Sequence, residues 1–200
     1  MPTALDFYFE FASPYGYLAS LRIDEVAARH GREVAWRPFM LGAVFKLVGT
    51  APLTTYPLKG EYMKHDIERS ARRMGVQFVL PPGFPHATLA AARTFYWLVD
   101  DDATTAKAFA HAFYAAYFGS GEDVSAADRT AAIAATLGLE AEAVLDAAQQ
   151  PAIKQRLKEE TEAAIGRGVF GSPFIFVDGE AFWGGDRLDQ VEQWLETGGW

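Results

Sequence analysis

One stretch constrains this chain more than any other: residues 6–18, D-F-Y-F-E-F-A-S-P-Y-G-Y-L, where a strand pattern runs directly into a helix pattern. Leu5, Phe7, Phe9 and Phe11 alternate with Asp6, Tyr8 and Glu10, a period of two that predicts a strand. Ser13 then offers a cap oxygen and Pro14 suits the first helical position. The helix runs to about His30 and stops at Gly31. Ser13 therefore stands where free N–H groups and the positive end of a helix dipole favour an anion. Ser-Pro is also a common helix opening, and at this level capping alone accounts for Ser13.

A second strand is predicted at 33–39, with Pro38 near its end or on an edge. Strand, helix and strand over 5–39 make a βαβ unit, whose two strands should be parallel. Residues 42–60 read as irregular, because Gly49, Pro52, Pro57 and Gly60 interrupt them; long loops of this kind are often functional. From Glu61 the period changes to 3.6. Helical faces follow at Met63-Ile67-Ala71-Met74, at Leu89-Ala92-Tyr96-Val99 and at Ala106-Phe109-Phe113-Tyr117, with a turn-rich connection at 79–86. Ser125 and Asp128 resemble a capping box that opens a further helix. A short helix around Val144 and one from Pro151 to Ile165 complete the block.

β-structure then returns. Phe174–Val177 and Glu180–Trp183 flank Asp178-Gly179, a two-residue hairpin turn signal. Asp186 is placed to cap a last amphipathic helix through Leu188, Val191, Trp194 and Leu195. The order βαβ, helices, ββα is that of an α/β, thioredoxin-like fold with a large all-helical insertion. The thioredoxin-like part takes residues 1–41 and 166–200, and the connecting loop and helical insertion take 42–165.

Half of the 200 residues are hydrophobic, enough for a substantial core. The net charge of −8, with no Lys/Arg cluster, argues against nucleic acid and anionic membranes as partners. No apolar run spans a membrane and no signal peptide is recognisable, so a soluble cytoplasmic protein is expected. There are no cysteines, which removes disulfides, thiolate metal sites and a dithiol redox cycle of the chain's own. A ligand can still bring a thiol. His30, His65, His86 and His111 have no metal-ligand spacing, and no metal is expected. His65-Asp66 and Asp100-Asp101-Asp102 read as solvated surface.

Ser13-Pro14-Tyr15-Gly16 stands where thioredoxin-fold redox proteins carry Cys-x-x-Cys, with both cysteine positions replaced. No histidine lies near Ser13 in sequence to act as its base. A hydroxyl there can instead donate to a thiolate from a ligand. Such a bond is worth roughly 1.5–3 kcal/mol, or about one to two pKa units on the thiol. Gly171-Ser172-Pro173 before a strand is either a plain turn or a cis-proline loop facing the Ser13 helix. Gly184-Gly185-Asp186-Arg187 is either a capped turn or a carboxylate with nearby N–H donors for an α-amino-acid group. Lys59 is either solvated or pairs with a carboxylate.

Together, D-F-Y-F-E-F-A-S-P-Y-G-Y-L and G-S-P-F-I-F-V-D-G-E-A-F-W-G-G-D-R-L resemble the family of 2-hydroxychromene-2-carboxylate isomerases and kappa-class glutathione transferases, in the DsbA-like thioredoxin superfamily. K-G-E-Y-M-K-H-D-I at 59–67 and the following V-L-P-P match its middle pattern. The resemblance covers almost the whole chain. It implies that glutathione is the cofactor, with Ser13 on its sulfur. Ser172, before a cis Pro173, would pair with the cysteinyl unit. Asp186, with Gly185 and Arg187, would meet the γ-glutamyl group, and Lys59 the glycine carboxylate. Thr50 stands where some members carry an asparagine. Tyr15, Phe39 and Trp183 are candidate walls for a small aromatic electrophile, and a homodimer is implied. The implied activity is a glutathione-dependent isomerase of aromatic catabolism. The alternatives are a kappa-like transferase or peroxidase, and a non-catalytic thioredoxin-fold binding protein.

Overall fold

The alternation at the N-terminus does form a strand, but it ends two residues earlier than the pattern. In the computed structural model, which describes residues 4–200, β1 spans Leu5–Phe9; the first three residues of the segment 1–41 lie outside that range. Next come α1 at Pro14–Arg29 and β2 at Val34–Pro38. β1 and β2 are parallel, with Phe7 opposite Trp36. Near the C-terminus β3 (Phe174–Val177) and β4 (Glu180–Trp183) make an antiparallel hairpin. Its turn residues Asp178 and Gly179 have φ of 52° and 95°, the left-handed pair that such a turn requires and that Asp-Gly readily adopts. β3 also pairs antiparallel with β1, so the sheet order is β2-β1-β3-β4. This is the thioredoxin-like arrangement that the element order predicts. β2 is an edge strand ending at Pro38, where a missing N–H is tolerated.

Both sheet faces are covered, which explains why the "polar" half of the first strand is buried. Leu5, Phe7 and Phe9 join Ile175 and Val177 in the larger core cluster. Tyr8 joins Phe39, Val44, Phe174 and Phe176 in a second cluster on the other face. Asp6, on that face, is held by Arg37 and Arg167, each at 2.6 Å. Burial works to raise its carboxyl, but the two guanidinium hydrogen bonds prevail and leave it below the usual range.

Seven helices lie between β2 and β3: α2 (Leu41–Val48), α3 (Pro57–Met74), α4 (Leu89–Val99), α5 (Ala103–Tyr114), α6 (Ala127–Ala135), α7 (Ala141–Gln149) and α8 (Pro151–Gly166). α9 (Leu188–Thr197) closes the chain. Among the described residues, no helix is long and apolar enough to cross a membrane.

Residues 42–60 are not irregular, as the glycines and prolines suggested. α2 and a 3-10 turn at Leu53–Thr55 occupy them, and α3 begins at Pro57, four residues before the periodic signal. α2 is short and buries only Val44 fully, so it presents no repeating apolar face to read. Pro57 opens a helix rather than breaking one. Ser125 does not cap α6 either; Ala126 takes that position and the Ser125 N–H donates to Asp123 Oδ1. Asp100 and Asp102 are more than solvated surface: Asp102 caps α5 through the Thr104 N–H at 2.8 Å, and Asp100 pairs with Arg156.

α5 runs on into a π-helical turn, Ala115–Gly119, which places Tyr117 and Phe118 in the core. The Phe9 ring is the hub of that core. Its centroid lies 5.1 Å from Phe11, 5.3 Å from Trp36 of β2, 5.7 Å from Phe95 of α4 and 6.2 Å from Tyr114 of α5. It thus joins the sheet to the helical layer. Phe9→Ala should cost about 3–5 kcal/mol in urea unfolding, because rings on several elements cannot all collapse into the space left. A loss below about 1 kcal/mol would show that the two layers do not share this hub.

Candidate functional site

The site begins where β1 ends and α1 starts. Residues 10–12 form a turn, in which the Ser13 N–H donates to the Glu10 carbonyl at 2.9 Å. Ser13 is 6% exposed. Its Oγ accepts the Gly16 N–H at 3.0 Å, so it does cap α1. The same hydroxyl donates to the Ser172 carbonyl at 3.0 Å, across 159 residues. One oxygen thus both caps α1 and ties it to the distant Ser172 loop.

Ser172 precedes a cis Pro173, in agreement with the expectation for this loop. A second cis bond, Phe84-Pro85, had no distinguishing signal within the turn-rich stretch 79–86. The Ser172 Oγ accepts the Glu10 N–H at 2.9 Å, which ties the loop to the turn before Ser13 a second time. Gly16 makes room for this meeting. A Cβ there would stand 3.0 Å from the Tyr114 hydroxyl and 3.2 Å from both the Ser13 Cβ and the Ser172 Oγ.

A cleft of about 2110 Å³ opens beside these residues. A single small-ligand pocket holds roughly 300–1,000 Å³, so there is room here for two small molecules side by side. Ser13, Ser172, Pro173, Gly185, Asp186 and Arg187 all line it on the thioredoxin side. Thr50, just after α2, and Lys59, in the first turn of α3, line it on the other side. The Lys59 Nζ lies over the Tyr56 ring, 5.5 Å from its centroid. Gly185 packs closely: a Cβ there would lie 3.3 Å from the Tyr15 carbonyl oxygen and 3.9 Å from Pro173 Cγ. Asp186 does not cap the last helix. It sits in a 3-10 turn, Gly185–Arg187, exposed to the cleft and 3.2 Å from the Arg187 guanidinium, and α9 starts after it without a side-chain cap.

The three candidate aromatic walls fare differently. The Tyr15 hydroxyl donates to Asp66 of α3 at 2.8 Å, and Asp66 also holds Arg69. Burial first, and Asp66 second, push the Tyr15 hydroxyl above its usual range, so it stays a donor. Asp66 is therefore not simple solvated surface; it bridges α1 and α3. Trp183 is 55% exposed and meets Phe170, 45% exposed, edge to face at 4.8 Å. Gly171 between them allows this, since a Cβ there would fall 2.2 Å from Trp183 Nε1. Phe39 is 1% exposed and packs inward on Tyr8, so it contributes little open surface.

The sequence reading missed Glu10 and Thr88. Glu10 looked like the outward member of an alternating strand, but the strand has ended and its side chain turns into the cleft. One carboxylate oxygen accepts the Ala12 N–H at 2.8 Å and the other accepts the Thr88 hydroxyl. Burial raises this carboxyl to about 7, against the opposing effect of those two donors. Only the coincidence of a strand end with an acid three residues before Ser13 could have hinted at it. Among the described residues, no group of three His, Cys, Asp or Glu side chains is placed to hold a metal ion.

Comparison with known proteins agrees with this fold. Residues 4–196 match the model of the DSBA-like thioredoxin domain. A 2-hydroxychromene-2-carboxylate isomerase of Sphingobium xenophagum is 32% identical over 98% of this chain and 99% of its own. A kappa 2 glutathione S-transferase of Caenorhabditis elegans is 26% identical over 94% of this chain and 90% of its own. A solved structure of a 2-hydroxychromene-2-carboxylate isomerase superposes with a TM-score of 0.88 at 28% identity, over 97% of this chain and 95% of that one.

The Glu10 carboxyl makes a directional prediction. Its folded value, about 7, lies above the ordinary 4.5. The folded state therefore holds the proton more tightly, a stabilisation present below about pH 4.5 and lost as pH rises to about 7. Glu10→Gln should remove that decline, gaining at most about 3 kcal/mol on the wild type between these limits. Parallel wild-type and variant melting curves across that pH range would contradict it.

Proposed function

Because the chain belongs to the DSBA-like thioredoxin family, in the branch of the 2-hydroxychromene-2-carboxylate isomerases and kappa-class glutathione transferases, we propose that it is a glutathione-dependent isomerase interconverting 2-hydroxychromene-2-carboxylate and trans-o-hydroxybenzylidenepyruvate. One observation carries the reading. A serine hydroxyl, in a chain without cysteine, is buried at the N-terminus of α1 and set between an N–H donor and a carbonyl. It has a proton to give and a positive helix end behind it, which suits a sulfur anion brought by a ligand.

Bound glutathione would supply a thiolate nucleophile for reversible addition to the ring-opened, conjugated substrate. The chain's own residues divide the remaining work. Ser13 turns its O–H from the Ser172 carbonyl toward the sulfur. The Ser172 backbone, before Pro173, receives the cysteinyl unit. Gly185, Asp186 and Arg187 take the γ-glutamyl end, where the Asp186 carboxylate meets an ammonium and the Arg187 guanidinium a carboxylate. Thr50 and Lys59, across the cleft, take the glycine carboxylate; Lys59 suits this because its ammonium rests on an aromatic ring rather than on an acid. Trp183, Phe170 and Tyr15 line the cleft and offer faces for the aromatic substrate.

Kappa-class relatives of similar length support a second reading, a transferase that uses the same thiolate on a different electrophile. A homodimer is also part of the proposal, supported by Leu47, Val48, Leu58 and Tyr62, which stand exposed on α2 and α3.

Ser13→Ala tests the central claim. The thiol of bound glutathione should rise by about one to two pKa units, followed by the ultraviolet absorbance of the thiolate. Isomerisation at neutral pH should fall by roughly 10- to 100-fold. Wild-type protein that forms no thiolate with glutathione would refute the cofactor. Thiolate formation together with turnover of a halogenated nitroarene, but not of the chromene, would select the transferase.

A further inference from the structure

Glu10 is a partly buried acid that the proposed chemistry leaves without a task. Its backbone is pinned beneath the site: its N–H donates to Ser172 Oγ at 2.9 Å, and its carbonyl accepts both the Ser13 N–H at 2.9 Å and the Tyr114 hydroxyl at 3.0 Å. Its carboxylate lines the same cleft as Ser13 and accepts the N–H of Ala12, the residue before Ser13. Among the described residues, no Lys, Arg or His pairs with it. The titratable groups facing it are Tyr114 of α5 and Tyr117 of the π-helical turn, both kept neutral by burial and each raised further by Glu10 itself. His86 lines the cleft too, but it stacks on Tyr117 at 5.5 Å and turns Nδ1 toward Asp123 at 3.4 Å. Glu10 therefore has no counter-charge of its own.

We propose that Glu10 takes up the proton lost when a thiol becomes a thiolate at Ser13. The inference rests on the reading of Ser13 as a thiolate-holding residue. Glu10 and Ser13 line one cleft and are linked through the Ala12 N–H, so a negative charge arriving at Ser13 raises the proton affinity of Glu10 and drives it to its neutral form. The balance is simple. The S–H bond breaks, its electron pair stays on sulfur, and the proton ends on Glu10. Ala12 offers an N–H, which can only donate, so it keeps Oε2. Thr88 offers a hydroxyl, which can reverse from donor to acceptor, so the proton goes to Oε1. The charge of the site is the same before and after. Glu10, carried by the thioredoxin part, and Thr88, at the start of α4, thus form a proton store that spans the sheet and the helical layer.

Calorimetry with glutathione at about pH 8, in buffers of different ionisation enthalpy, counts the protons released on binding, and thiolate absorbance on the same samples counts the thiolate formed. Wild type should form thiolate with almost no net proton release. Glu10→Gln should release about one proton for each thiolate. Thr88→Val, which keeps the acid but removes its hydroxyl partner, should leave Glu10 more protonated at the outset and give an intermediate count; it also serves if the Gln variant does not fold. S-methylglutathione, which has no thiol, should release no proton in any variant. Equal counts in wild type and Glu10→Gln, with thiolate present in both, would overturn the proton store alone. Absence of thiolate in the wild type would instead overturn the Ser13 reading, and the proton store with it.

Discussion

The rest of the structure depends on a meeting between two distant segments: the turn that ends β1 and the Ser172-Pro173 loop that begins β3. Two hydrogen bonds join them, Ser13 Oγ to the Ser172 carbonyl and the Glu10 N–H to Ser172 Oγ. Each contributes only about 1 kcal/mol net. Their importance lies in position. β1 is central and pairs with β3 from Asp6 to Tyr8, so the register of that pairing decides whether Ser13 and Ser172 face each other. A slip of one residue would turn every side chain of β3 to the opposite face. Phe174 and Phe176 on one side and Ile175 and Val177 on the other forbid it, because each pair is committed to a different core cluster.

The helical layer is coupled to this meeting rather than merely attached to the sheet. Tyr114 of α5 donates to the Glu10 carbonyl, Thr88 donates to the Glu10 carboxylate, and Asp66 of α3 receives the Tyr15 hydroxyl. Three helical elements thus reach the first residues of α1 and the turn before it. The core reflects the same coupling: Phe9 and Phe11 of the N-terminal segment stack among rings of α4 and α5. Placing an acid at such a junction is costly, because taking it out of water disfavours its charged form. The acid persists because its two oxygens have donors, and because a carboxyl near neutrality can discharge itself by taking a proton.

The sheet and the position of Ser13 were legible because each is encoded locally, whereas Ser172 and Asp186 were placed beside it only by the family resemblance. Alternation marks β1, Asp-Gly marks the β3–β4 turn, and Ser-Pro marks the start of α1. What was not legible is mostly long-range. Asp66 looked solvated beside His65, because its partner Tyr15 lies 51 residues away. Phe39 looked like a wall because aromatics near junctions often are, whereas the second core cluster claims it. α2 escaped because eight residues with one fully buried side chain produce no period. Glu10 escaped for a subtler reason: the alternation is genuine up to Phe9, and nothing local announces that the backbone leaves the sheet there.

Gly16 shows how this site differs from a dithiol one. Where the redox motif carries its second sulfur, this chain has no side chain at all, and the space is taken from three directions by the Tyr114 hydroxyl, Ser13 and Ser172. A side chain at Gly16 would press its Cβ against the Tyr114 hydroxyl, Ser13 and Ser172, each of which would have to give a little. Ser13→Cys alone would supply one thiol but no partner within the motif, because the Gly16 position is already committed to packing. In the proposed function the helix end, the proline loop and the Glu10 carboxyl form the surroundings of a sulfur that a ligand brings. The geometry therefore fits a thiol that enters with a ligand and leaves with it, and it does not fit a pair of thiols that close on each other.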